Sequence, residues 1–188
     1  MDKKLPAFET DRIKIEDAAD STRIEISGKI SGLQFALLTA WLIAWTISGI
    51  YVFSQLFTDL PSETKMFMFV WLAFWFYFEY KIGSAWIWRK FGREVLLLQK
   101  GKSQLRFEVS YGGKGEEFET SGMRDFQLLE TKKGLFIKNY FSSFWVVGGE
   151  SIGFLVSGKL KMFGRQLPEK DAEKLLKFVQ TKVQRYRK

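Results

Sequence analysis

Residues 33–57 (LQFALLTAWLIAWTISGIYVFSQLF) and residues 66–88 (MFMFVWLAFWFYFEYKIGSAWIW) decide the architecture. A hydrocarbon core about 30 Å thick is crossed by roughly 20 apolar residues rising about 1.5 Å each, and the first stretch carries no charged residue. It is expected to span a bilayer. The second opens with an unbroken apolar run from Met66 to Phe78, too short alone, and reaches spanning length only by continuing through Glu79 and Lys81 into IGSAWIW. It reads as a second span with a polar defect near one end. The link, TDLPSETK (58–65), sets Pro61 among Asp, Ser and Thr, the chemistry of a turn. So short a link makes the two helices antiparallel neighbours.

The 188-residue chain leaves room for one small soluble domain outside the two spans. The net charge of +8 is distributed by side of the membrane rather than gathered in one groove-lining cluster. Arg12, Lys14, Arg23 and Lys29 precede the first span and Arg89, Lys90 and Arg93 follow the second, whereas the link has only Lys65 beside Asp59 and Glu63. The positive-inside rule then puts both termini in the cytoplasm, for a two-span protein of the cytoplasmic (inner) membrane. Trp41, Trp45, Trp71, Trp75, Trp86 and Trp88 lie in or beside the spans; Trp86 and Trp88 suit an interfacial belt, the others lipid or helix contacts. The first apolar run is too long and starts too late for a cleavable signal peptide, and is expected to stay in the mature protein. The absence of Cys and His removes disulfides, thiolate chemistry, Cys-based zinc sites and the commonest general base. No cofactor or metal is expected, and no catalytic constellation stands out.

Before the spans, RIKIE (12–16) and RIEIS (23–27) alternate strictly around DAADST, a hairpin pattern with Ile13, Ile15, Ile24 and Ile26 on one face. Four isoleucines make no core alone, so the hairpin is expected to dock on the sheet that follows the spans. From Gly92, short β-type runs alternate with glycine-rich turns: EVLLLQ, LRFEVSY, EEFET, DFQLLE, GLFIKNYF, SFWVV, SIGFLVS and KLKMFG. This spacing predicts an antiparallel sandwich or small barrel of six or seven strands. The last stretch opens with Pro168, Glu169, Asp171 and Glu173 and closes with Lys182, Arg185, Arg187 and Lys188, the charge order a helix dipole favours. Ala172, Leu175, Leu176, Val179, Val183 and Tyr186 form its apolar stripe.

Three stretches carry a resemblance: IEISGKISGLQFALLTAWLIAWTISGI (24–50), where a β segment runs into a Trp-rich span; WRKFGREVLLLQKGKSQLRF (88–107), where the second span exits into a strand pair; and FGRQLPEKDAEKLLKFV (163–179), where a last strand leads into the helix. In these the chain resembles bacterial two-span membrane proteins that carry a pleckstrin-homology-like (PH-like) domain, and it departs from them at Glu79 and Lys81. The resemblance implies an α+β membrane protein: a β-hairpin segment in residues 1–30, a two-helix transmembrane hairpin in 31–90, and a cytoplasmic PH-like antiparallel barrel or sandwich with a C-terminal amphipathic helix in 91–188. It implies no activity and no catalytic residues.

Each candidate residue has a plain alternative. Glu79 and Lys81 are intramembrane polar residues, a mark of ion or proton paths, or a pair at the headgroups with Lys81 snorkelling. YGGKGEEF (111–118) lacks the GxxxxGK followed by Ser or Thr of a phosphate loop and reads as a hairpin turn. Lys174 and Lys177, with Lys170 and Lys182 on the same polar side of the helix, join Arg89, Lys90 and Arg93 as candidate membrane-surface cations, though the helix is equally what covers a barrel mouth. The rings of Phe136, Tyr140, Phe141, Phe144 and Trp145 cannot all enter one small core, so Tyr140, Phe141, Phe144 and Trp145 are the candidate interaction patch. Nucleic-acid binding is not expected, because the aromatics sit in spans and strands rather than along a basic groove.

The expected function is non-enzymatic: a membrane-anchored PH-like domain that binds a protein partner or lipid headgroups at the bilayer, as an accessory or assembly subunit of a membrane complex. The alternatives are an oligomeric ion or solute path lined by Glu79, and a membrane enzyme built on Glu79, Glu94 and Asp125.

Overall fold

The computed structural model describes residues 10–109, 112–129 and 143–187. Strand β1 (Ile13–Asp17) and strand β2 (Ser21–Ser27) are followed by helix α1 (Gly32–Gln55) and helix α2 (Ser62–Phe91). Then come β3 (Gly92–Gln99), β4 (Lys102–Val109), β5 (Gly112–Glu119), a 3-10 turn at Thr120–Gly122, β6 (Arg124–Leu128), β7 (Glu150–Val156), β8 (Lys159–Arg165) and helix α3 (Glu169–Tyr186). The fold is α+β, with two antiparallel sheets: β1 to β5 in chain order, and β6-β7-β8.

The period-two pattern of the N-terminal strands sets the register of the first sheet. Ile13 pairs with Ile26 and Ile15 with Ile24, and all four are buried. β2 in turn pairs along its whole length with β3, from Ser21↔Gln99 to Ser27↔Arg93. The α1–α2 hairpin is thus a long excursion between two neighbouring strands of one sheet. Leu96, Leu98, Leu105, Phe118, Phe154 and Phe163 complete the core, which α3 covers with Ala172, Leu175, Phe178, Val179, Val183 and Tyr186.

Two β-region expectations change. GGKG begins β5 rather than forming a turn: Gly113 lies opposite Glu108 and Gly115 opposite Arg106. A Cβ at Gly113 would stand 2.3 Å from the Phe107 carbonyl oxygen, so the bare backbone is what lets the strands approach. SFWVV (143–147) is a turn closed by Val146 N–H to the Ser143 carbonyl; its Trp145 ring packs on Trp41 of α1 instead of joining a ladder. GLFIKNYF (134–141), with Phe136, Tyr140 and Phe141, lies outside the described residues.

The Ser31–Gln34 capping box starts α1. Among the described residues, α1 is the one helix both long and apolar enough to cross a membrane. α2 is longer, at 30 residues, but its Trp and Tyr content and the Glu79–Lys81 pair make it less hydrophobic. Apart from Val109, Leu160 and Met162, every large apolar side chain exposed among the described residues belongs to α1, α2 or their link.

Candidate functional site at the base of the helical hairpin

α2 runs without a break to Phe91 and hands the chain directly to β3, which draws its last turn into the β-domain. Arg89, expected at the membrane surface, is instead 3 % exposed. A guanidinium has five N–H donors in a planar fork, and here it gathers carbonyls from separate segments. Nη1 donates to Gly28 O (3.4 Å), Nε to Phe144 O (3.3 Å), and Nη2 to Val146 O (3.0 Å) and to the Gln166 side-chain oxygen. Trp88, expected in an interfacial belt, is 5 % exposed and lies 4.9 Å from the Arg165 guanidinium, which also covers the Phe107 ring at 4.4 Å.

Gln166 is the hub. It holds a left-handed backbone, φ 51°, that a non-glycine residue keeps only where surrounding contacts fix it. Those contacts are on every side: Nε2 donates to Ser143 O (3.0 Å) and Val146 O (3.2 Å), and the backbone carbonyl accepts from Arg12 Nη1 (2.7 Å). Arg12 also donates to Ser27 O (3.0 Å) and Arg165 O (2.9 Å). The ends of β2, α2 and β8, the start of β1 and the 143–146 turn are tied at one point.

Beneath this lies Glu94, 1 % exposed. Its Oε2 accepts from Gly164 N–H at 2.6 Å and its Oε1 from Arg165 N–H at 3.2 Å, with Arg165 Nε 3.4 Å away and shared with Glu150. Gly164, at φ +78°, turns that amide inward as a residue with a Cβ rarely does. Burial pushes the Glu94 carboxyl up to about 7, against the pull of Arg165 and of the two N–H donors. The sign follows: between 4.5, its ordinary value, and about 7 the folded protein holds a proton that the unfolded chain has lost. The contribution of Glu94 to stability therefore falls by about 3 kcal/mol as pH rises through that window and is level outside it. Glu94→Gln should flatten this slope in a pH series of denaturant midpoints. A variant curve parallel to wild type would exclude the assignment.

The other expected cations separate. Lys90 is exposed and rests over the rings of Trp86 (4.7 Å) and Phe91 (5.1 Å). Arg93 pairs with Glu108 (2.7 Å) and Glu25 (3.6 Å) across the sheet. Lys174 and Lys177 are exposed on α3. Lys182, expected on the polar side of α3, is 4 % exposed and bonded to Asp17, whose other oxygen accepts from Thr22 Oγ1 at 2.7 Å; Thr22 in turn meets the Tyr186 hydroxyl at 2.8 Å. Burial alone would raise the Asp17 carboxyl, but Lys182 and Thr22 outweigh it and hold the carboxyl below its ordinary range. This contribution is present above that range and is lost on acidification through it. Asp17→Ala leaves the buried ammonium unpaired and should lower stability by about 2 kcal/mol in thermal unfolding. Adding Lys182→Met should recover most of the loss, and failure to recover would show that the pair is not its source.

Higher in the hairpin, Glu79 and Lys81 do not pair. Residues two apart on a helix face different ways: Lys81 lies over the Tyr77 ring (5.7 Å), whereas Glu79 turns inward to Thr46 of α1 (2.7 Å). The helices are tied on either side by Trp75 Nε1 to Trp45 O (2.9 Å), Trp45 Nε1 to Trp75 O (3.5 Å) and Trp86 Nε1 to Thr39 Oγ1 (2.8 Å). Of the aromatic patch, Phe144 and Trp145 are described and half-buried; Trp145 packs edge-on against Trp41 of α1 at 5.4 Å. Tyr140 and Phe141 lie outside the described residues.

Glu79 in the hairpin, Glu94 in the core and Asp125, exposed on β6, occupy three separate environments. Among the described residues no group of three or more acidic side chains is placed to hold a metal ion. Chemically, the base of the hairpin is a clamp of fixed donors and acceptors with its polar groups turned on one another. Comparison of the chain with family models, curated proteins and solved structures finds no match to any of them.

Proposed function

We propose that the chain is a two-span protein of the cytoplasmic membrane, with α1 and α2 in the bilayer, both termini in the cytoplasm, and a PH-like domain held at the membrane face as a non-enzymatic platform for a protein partner or lipid headgroups. The observation that carries this is the clamp at Arg89 and Gln166 together with the belt of exposed apolar residues above it, from Leu33 to Phe57 and from Met66 to Phe91. An apolar surface of that extent needs a nonaqueous neighbour, and in lipid a helix pair must satisfy its own polar groups, as the reciprocal Trp45–Trp75 bonds do. The five-stranded and three-stranded antiparallel sheets, covered by a C-terminal helix, support the PH-like reading. A domain fixed to its anchor presents a constant face and raises the local concentration of whatever it meets. The path lined by Glu79 is less well supported, because that carboxyl points at its own partner helix.

The test is purification of the tagged protein from its native membrane in mild detergent, with mass spectrometry of co-purifying chains and native mass of the product. A stoichiometric membrane partner or retained lipid is expected. Release from the membrane by alkaline carbonate would overturn the two-span reading, and isolation as a bare homo-oligomer would overturn the platform reading.

A further inference from the structure

The seam between α1 and α2 raises a question of proton count at Thr46. Its Oγ1 lies 2.8 Å from the Leu42 carbonyl oxygen and 2.7 Å from Glu79 Oε1. A threonine hydroxyl has one proton to give. Were Glu79 a carboxylate, both neighbours would be acceptors only, and one of these two short oxygen contacts would hold no proton. Were it the neutral acid, it would donate to Thr46 and Thr46 to Leu42, and both contacts would be hydrogen bonds. A second observation points the same way. Glu79 Oε2 is buried with no hydrogen-bond partner among the described residues, and a bare anionic oxygen is far more costly than a bare carbonyl oxygen. Among the described residues Glu79 has no salt bridge: α1 contributes no charged side chain, and Lys81, the nearest cation along α2, is turned to Tyr77.

We infer that Glu79 is a proton-binding site, an uncharged carboxylic acid within the hairpin that donates to Thr46 and through it to the backbone of α1. Its ligand is the proton itself, and Thr46 and the Leu42 carbonyl are the groups that recognise the protonated form. This rests on the hairpin alone and not on the role of the β-domain.

The test is infrared spectroscopy of the full chain in detergent at about pH 8, where exposed carboxyls are ionised. The carbonyl band of a protonated carboxylic acid is expected in the wild type. It should be lost in Glu79→Gln, kept in Glu94→Gln, and displaced in Thr46→Val, which removes the acceptor of the acid's hydrogen bond. Absence of the band in the wild type, or its survival in Glu79→Gln, would overturn the inference. If Glu79→Gln does not fold, Thr46→Val decides alone: a band that stays in place excludes the bond.

Discussion

Replacing Arg89 with alanine lowers the unfolding free energy of the purified protein by about 4 kcal/mol, the largest loss expected from any single charge removal here. The reason is arithmetic of partners rather than charge. Gly28, Phe144 and the Gln166 side chain direct acceptors at one guanidinium, as does Val146, whose carbonyl also accepts from Gln166 Nε2, and a sequestered acceptor left without a donor costs about 1–3 kcal/mol, partly relieved by water entering the space. Arg89→Lys should recover less than half, because an ammonium on a flexible stem cannot serve a planar fork of acceptors. Far-ultraviolet circular dichroism should show the helices of the hairpin intact while the domain melts earlier. A loss under about 1 kcal/mol would mean that these carbonyls have other donors, and the clamp would lose its central member.

Leucine at Gly49 should part the two helices. A Cβ built there stands 1.9 Å from Trp75 Cε2 and 2.3 Å from Cζ2, closer than any side chain tolerates, so the indole must leave its place. Its departure breaks Trp75 Nε1 to Trp45 O and, next along the seam, loosens Thr46 from Glu79. Overpacking with loss of an interhelical bond is expected to cost about 3–4 kcal/mol, read as a lower midpoint of thermal unfolding with a red shift of Trp emission. Trp75→Leu in the same chain makes room, and the double variant should be more stable than Gly49→Leu alone, a coupling that only direct contact gives. Additive effects would place the damage elsewhere.

Local periodicity carried much of this fold. Ile13, Ile15, Ile24 and Ile26 announce their shared face because a strand repeats every two residues, and the α3 stripe does so at three and four. The misplaced residues are those whose environment is built by distant chain. Arg89 and Lys182 look like surface cations because lysine and arginine normally are; their partners, Gln166 and Asp17, are far away in sequence. Gln166 itself carries no sequence signal, since its left-handed backbone and its contacts exist only after β8 and the 143–146 turn have come together. Phe178 joins the buried stripe of α3, three residues after Leu175. The polar defect at Glu79 was legible, but its inward aim depends on the phase of α2 against α1.

The pairing of β2 with β3 sets an order of events during synthesis. When β1 and β2 emerge they form a two-stranded piece that is marginal alone, with the edge meant for β3 open. That edge must wait while the whole of α1 and α2 is made, and the long closure then falls on a single step, the arrival of residues 92–99. Non-local strand pairing of this kind is slow. Packing of the hairpin and closure of the sheet become one coupled process: only a hairpin whose two ends return to the same place lets the β2–β3 ladder form, so the completed sheet is itself a check that the helices have come together as a pair.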